Sequence, residues 1–343
     1  MAQRSRSDRA STQRVSEHRL GFAVKVLGHG GLPSHDARRH GSKPHLRHSL
    51  TNLRAILERL RELDVSMYRF ASGLAPYASH PALPSFHGQV SECADELAAI
   101  GALVRTRGVR LSSHPGQYTV LNSQDLGVRA TSAAELEVQA SLLDAMELGP
   151  EAVVVLHVGG TAGGVPAALD RFEQGLDALS SSARARLVIE NDDRSFGLGN
   201  VLELSRRTGL RVVWDALHHH CLDPDHIPDA EALALALGTW GPEAGMPKIH
   251  FSSPRLDIGN KTVREGRRTI RRPVLPQLRA HADLIDPIAF EQFMRDAAPG
   301  RDFDVMLEAK GKDLALVRLR EQLAQRGMRW RNGRLQVPVR AHE

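Results

Sequence analysis

The sequence predicts one α/β domain with the (β/α)8 fold of the TIM barrel. The chain of 343 residues contains eight short apolar runs of strand-like composition at fairly regular intervals, and the segments between them show helical periodicity. Most of the runs close on a His, Asp or Glu. This alternation favours a barrel over a doubly wound sheet, because Gly28-His29-Gly30-Gly31 after the first run matches a glycine-rich phosphate turn poorly.

The strands and helices are assigned in chain order. The predicted strands are residues 20–27, 67–72, 110–114, 153–158, 187–191, 212–216, 248–252 and 304–309. The first predicted helix has one apolar face, with Ser49 as its cap, formed by Leu50, Leu53, Ile56, Leu57, Leu60 and Leu63. Further helices are predicted at residues 90–107, 133–148, 167–179, 201–208, 229–237 and 287–298.

Composition bounds the domains and the compartment. Residues 1–18 are rich in Arg and Ser without an apolar core, which predicts a disordered basic tail rather than a secretory signal. Residues 19–325 form the predicted barrel domain, and residues 326–343 a C-terminal extension. The two cysteines, Cys93 and Cys221, lie far apart and exclude a disulfide scaffold. We expect a cytoplasmic protein with no membrane partner, since no apolar run reaches spanning length.

The charge distribution suits an anionic partner. The net charge is +5 and the sequence pI is about 9.5, values that also fit a solvated Arg-rich surface. Two basic segments, residues 28–48 and 261–272, follow the first and seventh predicted strands. Both are expected to be loops above the carboxyl ends of the strands, where barrel active sites form. We favour contact with nucleic-acid phosphates over the alternative of solvated loops without a ligand.

Metal-ligand side chains close the strand-like runs. Singly, each has a structural explanation, such as a core histidine or a helix cap. Together they predict a multi-metal catalytic centre, because histidine nitrogens and carboxylates suit Zn²⁺, Mn²⁺ or Fe²⁺. Glu190 is expected to bridge metals. The candidate ligands are His114, His157, Glu190, Asp215, His218, His250, His281 and Glu308.

Three further side chains carry chemical information. Lys248 precedes His250 by two residues and therefore points into the same barrel interior. A lysine aimed at metals must lose its proton, pair with a carboxylate, or be converted to an anion. Gln117 and Tyr118 follow the turn at Pro115-Gly116, where an amide and an aromatic ring could stack on or replace a base. The alternative is a purely structural turn.

At these residues the chain resembles the UV damage endonuclease family of metal-dependent DNA-repair nucleases, over roughly residues 20–320. The motifs occur in family order. They are Met67-Tyr68-Arg69-Phe70-Ala71-Ser72, Ser79-His80-Pro81, Ser113-His114-Pro115-Gly116-Gln117-Tyr118, His157-Val158-Gly159-Gly160, Glu190-Asn191-Asp192, Trp214-Asp215 with His218, Lys248-Ile249-His250-Phe251-Ser252, His281-Ala282-Asp283 and Glu308-Ala309-Lys310.

The resemblance implies a mechanism and a substrate. It implies a nuclease that nicks duplex DNA immediately 5′ of pyrimidine dimers, and often at abasic sites, with Gln117 and Tyr118 probing the damage. We separately expect the chain to be a monomer. Lys248 is implied to carry a carboxylate modification near the metals. Up to three metals, typically manganese, are implied to be held by His80, His114, His157, Glu190, Asp215, His218, His250, His281 and Glu308. We assign the catalytic roles to Glu190, Lys248, Glu308 and Asp215.

One departure and two alternatives complete the prediction. Relatives commonly carry a lesion-contacting Tyr and Asn after the first strand, where this chain has Phe22 and no Asn. Phe22 is predicted to stack on the lesion without hydrogen-bonding it. A barrel sugar isomerase or epimerase would also place His, Asp and Glu at strand ends, but needs no basic loops. A damage-binding protein that does not cut would lack metal ligands.

Overall fold

The computed structural model describes residues 15–339 and contains a closed barrel of parallel strands. Eight strands form the barrel, a hairpin follows the seventh, and a second hairpin lies near the C-terminus. The strands are β1 (Val15–Ala23), β2 (Met67–Arg69), β3 (Arg110–Ser112), β4 (Val154–His157), β5 (Leu187–Glu190), β6 (Arg211–Val213), β7 (Lys248–Phe251), β8 (Gly259–Glu265), β9 (Arg268–Val274), β10 (Asp304–Leu307), β11 (Arg329–Arg331) and β12 (Arg334–Pro338).

The barrel closes in chain order. All of this pairing is parallel: β2 pairs with β1 and β3, β5 pairs with β4 and β6, and β10 pairs with β7 and β1. Two seams remain, and each is closed by a single parallel bridge: Ser113 with Val154, and Asp215 with His250. The predicted (β/α)8 barrel is therefore confirmed.

Helices surround the barrel between the strands. The helix after β1 buries the predicted apolar face, but it begins at Leu46 after an N-cap at His45. Ser49 is therefore inside the helix and not its cap, and its hydroxyl accepts the Asp36 amide at 2.9 Å. The helices are α1 (Leu46–Glu62), α2 (Gln89–Glu92), α3 (Ala94–Thr106), α4 (Leu126–Ala145), α5 (Val165–Leu176), α6 (Ser181–Arg186), α7 (Leu198–Thr208), α8 (Ala216–Cys221), α9 (Asp229–Gly238), α10 (Pro287–Gln292) and α11 (Lys312–Gln325).

None of the helices within residues 15–339 combines the length and the apolar character that crossing a membrane requires.

The ends of the chain correct the predicted domain boundaries. β1 begins at Val15, so residues 15–18 belong to a strand and not to the predicted tail, whose residues 1–14 lie outside the described part. The first half of β1 pairs antiparallel with β12, which places the predicted C-terminal extension against the barrel. His18 is buried there, with Nδ1 2.8 Å from the Phe303 carbonyl oxygen. β1 ends at Ala23 because Val24 has a φ of 68°, which breaks the extended backbone.

Buried charges close the amino-terminal end of the barrel. Asp304 is fully buried at the start of β10 and accepts hydrogen bonds from Arg110 at 2.8 Å and Arg19 at 3.0 Å. Two cations compensate the cost of burying this carboxylate. The predicted metal ligands lie at the opposite, carboxyl end of the strands.

Candidate metal centre

The carboxyl ends of the barrel strands bring the predicted ligands together. His157 and Glu190 are the last residues of β4 and β5, and Asp215 lies two residues beyond β6. His250 lies within β7, and Glu308 directly follows β10. Because these strands are parallel neighbours, side chains at corresponding ends face one another across the barrel mouth.

Glu190 is at the centre of this arrangement. Its Oε2 atom is 3.0 Å from His114 Nε2 and 3.7 Å from His157 Nε2. Its Oε1 atom is 2.9 Å from His250 Nδ1 and 3.5 Å from His218 Nδ1. The carboxylate is fully buried, so its four imidazole neighbours take the place of water.

Two groups of possible ligands share this carboxylate. His114, His157 and Glu190 form one group, and Glu190, Asp215 and His250 form the other. Within each group the donor atoms lie within 4.8 Å of one another. Glu190 is common to both groups, and one carboxylate has an oxygen for each of two cations, so its bridging role stays a prediction.

Glu308 extends the cluster on its other side. Its Oε1 atom is 3.4 Å from His250 Nδ1, and its Oε2 atom is 3.7 Å from His281 Nδ1. Arg69, at the end of β2, forms an ion pair with Glu308. Arg69 stood in a family motif but received no role from the sequence, because nothing along the chain indicates that its guanidinium meets this carboxylate.

Asp215 and His218 are arranged as their spacing predicts. Asp215 caps α8, with its Oδ1 atom accepting the His218 amide at 2.8 Å, and the two side chains approach to 3.8 Å. Asn191 braces the pair by exchanging two hydrogen bonds with the Asp215 backbone, at 2.9 and 3.0 Å. Nothing along the chain indicates this role of Asn191, although the residue directly follows Glu190 in the predicted strand.

Burial and charge shift the pKa values of the cluster in different directions. Burial lowers the pKa of His114 to about 4. Burial, together with the neighbouring Glu190 and Glu308 carboxylates, raises the pKa of Asp215 to about 6. Burial alone would lower the pKa of His218, but the surrounding carboxylates, first Asp215, raise it to about 9. The cluster thus holds a proton that a metal cation would displace.

The donor atoms fit divalent cations. Three cluster atoms are buried without a hydrogen-bond partner: Asp215 Oδ2, His250 Nε2 and His157 Nδ1. A buried carboxylate oxygen without a partner is costly, and a cation bound at Asp215 Oδ2 would remove that cost. Imidazole nitrogens mixed with carboxylate oxygens suit Mn²⁺, Zn²⁺ or Fe²⁺.

Lys248 lies beside the cluster within the barrel, on the same face of β7 as His250. It is fully buried, and its Nζ atom donates to Ser112 Oγ at 3.2 Å. Burial, and next the nearby Arg110 and Arg69 charges, hold the pKa of Lys248 well below its ordinary value. Of the three possibilities for a lysine at this position, its surroundings therefore favour loss of the proton.

Two predicted site residues are placed elsewhere. His80 is exposed, its Nδ1 atom accepts the Ala82 amide at 3.2 Å, and within the described residues no contact joins it to the cluster. Phe22 is fully buried and packs edge-on against Tyr68, with ring centroids 5.5 Å apart. The prediction that Phe22 stacks on a lesion is corrected, because β1 turns this side chain into the barrel core.

Gln117 and Tyr118 occupy the rim beside the cluster. Both are exposed, and 85% of the Tyr118 surface is free. Gln117 lines a cleft of about 470 Å³ together with His114 and His157. An aromatic ring with so little packing is poorly explained by a structural turn, so the amide and the ring remain candidates for contact with a base.

Comparison with known proteins shows which family the chain resembles over most of its length. The family model described as UV-endonuclease UvdE matches residues 32–333. A UV DNA damage endonuclease of Bacillus pumilus is 32% identical over 262 residues, covering 76% of each chain, and one of Bacillus velezensis is 31% identical over 278 residues, covering 80% of each. The crystal structure of SacUVDE matches with a TM-score of 0.74 at 28% identity, covering 90% of this chain and 99% of that one. The chain therefore belongs to the UV-endonuclease UvdE family.

Proposed function

We propose that the chain nicks damaged duplex DNA immediately 5′ of UV photoproducts by hydrolysing a phosphodiester, with abasic sites as a second substrate. The observation that carries the proposal is the buried cluster around Glu190, to which six of the barrel's strand ends contribute. Family membership and the names of the relatives give the type of damage.

Divalent cations, preferentially Mn²⁺ and up to three in number, are the proposed cofactors. Bound in the cluster, they would act as Lewis acids on the phosphodiester and activate water at neutral pH. The residues proposed to hold them are His114, His157, Glu190, Asp215, His218, His250, His281 and Glu308, and the exposed His80 lies outside this set.

The catalytic roles fall to the buried charged groups. Glu190, Asp215 and Glu308 would hold the cations, and the ion pair with Arg69 orients Glu308. A neutral Lys248 amine is a nucleophile toward CO₂, and the carbamate formed, with release of one proton, would supply a further anionic ligand. Carbon-13 NMR of protein equilibrated with labelled bicarbonate tests this: a carbamate signal absent from Lys248→Met supports it, and no signal in either protein contradicts it.

Damage recognition is assigned to the exposed turn. The exposed Gln117 and Tyr118 would enter the duplex where base stacking is weakened, because damaged bases cost less to unstack than intact ones. The ring would stack on exposed bases, and the amide would replace hydrogen bonds that are broken within the duplex.

The two alternatives make different demands on the site. A sugar isomerase or epimerase needs neither the exposed Gln117 and Tyr118 nor basic segments on the same face. A damage-binding protein that does not cut does not require a buried cluster of metal-ligand side chains. A monomeric state and a cytoplasmic location remain predictions.

The deciding experiment is a nicking assay with the purified chain, Mn²⁺ and a labelled duplex bearing one cyclobutane dimer. We expect a cut just 5′ of the dimer. Glu190→Gln should reduce the rate by about a hundredfold or more while preserving DNA binding, because an amide keeps the shape but loses the charge shared between cations. Glu203→Gln, on the outer helix α7, is the matched control and should cut normally.

Undamaged and abasic duplexes complete the assay. A cut at the abasic site alone would show that abasic sites, and not UV photoproducts, are the substrate, and would leave the proposed metal-dependent hydrolysis unchanged. Metal binding without a cut on any duplex would contradict the nuclease proposal, and turnover of a free sugar would then establish the isomerase.

A further inference from the structure

The basic segment 261–272 is not a loop. Strands β8 and β9 form an exposed antiparallel hairpin in continuous register from Gly259 opposite Val274 to Glu265 opposite Arg268. Gly266, with a φ of 61°, and Arg267 make the turn between them. A two-stranded ribbon of this kind fits into a groove of duplex DNA. A disordered loop would lose conformational entropy when it bound there.

The hairpin carries the charge excess of the protein. Residues 259–274 contain six basic residues and one acidic residue, a net charge of +5 that equals the formal net charge of the whole chain. The remainder of the chain is therefore balanced. A projecting element with this concentration of positive charge suits an anionic partner, as does the second basic segment at residues 28–48.

The two faces of the hairpin differ. Residues directly opposite each other in the register share a face. One face has Val263 opposite Ile270 at its centre, and on it Glu265 forms an ion pair with Arg272. The other face contains no acidic residue and presents hydrogen-bond donors along its length: Asn260, Thr262, Arg264, Thr269 and Arg271.

The base of the hairpin is fixed to the metal centre. Arg255 donates its amide to the Ala280 carbonyl oxygen at 2.8 Å, and the Ala282 amide donates to Ser253 at 2.9 Å. Between these bonds, Pro254 bridges His281, the residue whose Nδ1 atom lies 3.7 Å from Glu308. The ladder therefore holds the segments that flank the hairpin against His281, one of the candidate ligands.

We propose that this arm binds the phosphate backbone of the duplex beside the nicking site, through the face that carries Arg264 and Arg271. The proposal rests on the proposed function for the identity of the partner. The arm neutralises phosphates irrespective of sequence or damage, so it increases affinity for any duplex and leaves lesion discrimination to the site itself.

The salt dependence of binding tests the proposal. Anisotropy of a labelled undamaged duplex, from about 50 to about 200 mM salt, gives the slope of log K against log salt, whose magnitude is about 0.9 for each phosphate that the protein neutralises. The test variant is Arg264→Gln with Arg271→Gln. Its matched control, Lys261→Gln with Arg268→Gln, removes the same charge from the opposite face of the same hairpin.

We expect the slope of the test variant to flatten by about two units and that of the control by less than half as much. Arg264→Lys with Arg271→Lys should restore the slope, since lysine also neutralises a phosphate. Equal flattening in both Gln variants, or none in the test variant, would overturn the proposal. Because the duplex is undamaged, the outcome is independent of whether the wild-type chain cuts at a dimer.

Discussion

At the scale of single residues, the pKa values of neighbouring side chains in one site are shifted in opposite directions, because burial lowers the pKa of each cationic group and nearby carboxylates raise it. The pKa values of His114 and Lys248 are lowered, because the loss of hydration on burial outweighs the attraction of nearby carboxylates. Both side chains are therefore shifted toward their neutral forms. His218 faces three carboxylates and keeps its proton. One cluster thus contains ready neutral ligands and a protonated one, and the latter makes metal binding depend on pH.

His218 gives the first prediction of pH dependence. Its folded pKa of about 9 lies above its ordinary value of 6.5, so its contribution to stability is complete below pH 6.5 and is lost as the pH rises through about 9. The buried Lys248 has the opposite trend, since its folded pKa is lowered. Because both variants keep Lys248, comparing metal-free wild type with His218→Asn isolates the contribution of His218. The measurement is urea unfolding of both proteins at pH 6.5 and pH 9. We expect the stability advantage of the wild type to shrink with rising pH; a constant difference would contradict the pKa shift.

Phe22 gives a second prediction at this scale. Since its ring packs against Tyr68 in the core, Phe22→Leu should lower the free energy of unfolding by about 1 kcal/mol. The ratio of affinities for dimer-containing and undamaged duplex should stay unchanged. Thermal unfolding and anisotropy measure the two quantities. A changed ratio in a normally stable variant would restore the lesion-contacting role that the sequence suggested.

At the scale of elements, the sequence predicted what depends on local pattern. All eight barrel strands were located, because an apolar run closing on a polar residue is a local signal, although their ends moved by a few residues. The hairpin at 259–274 was expected as a loop, because its strands are polar on both faces and lack the alternation that marks a half-buried strand. The pairing of β12 with β1 and the contact of Arg69 with Glu308 depend on distant parts of the chain, which no local pattern records.

The turn after β3 carries the prediction at this scale. Gln117→Ala with Tyr118→Ala removes two exposed side chains and should leave folding and metal binding intact. Loss of one stacked base is worth about 1–3 kcal/mol, so the preference for dimer-containing over undamaged duplex should fall roughly tenfold or more. Competition binding with the two duplexes measures it. Thr119→Ala, on the same turn, is the control, and an equal loss of preference there would indicate a general disturbance of the turn.

At the scale of the whole molecule, the candidate metal centre lies where two neighbouring barrel strands share little backbone pairing. The seam between β6 and β7 is closed by one bridge, and the two bridged residues, Asp215 and His250, are themselves candidate ligands. Elsewhere around the barrel, most neighbouring strands share several paired residues. A cation held by both residues would connect the two strands where the backbone does so least, which couples occupancy of the site to stability of the fold.

Metal removal should therefore destabilise the entire barrel. With free Mn²⁺ at about a hundred times its dissociation constant, linkage predicts about 2.7 kcal/mol of stabilisation relative to protein in EDTA. His250→Gln should lose most of this difference, because it removes a ligand at the seam. His80→Gln is the matched control: it changes a histidine of the same predicted ligand set that lies outside the cluster, and the difference should persist. Thermal unfolding of the three proteins with and without Mn²⁺ measures the effect. Equal losses in both variants would place His80 among the ligands and show that its exposed segment moves onto the metals. If Mn²⁺ did not stabilise the wild type, the prediction that metal binding stabilises the barrel would be wrong.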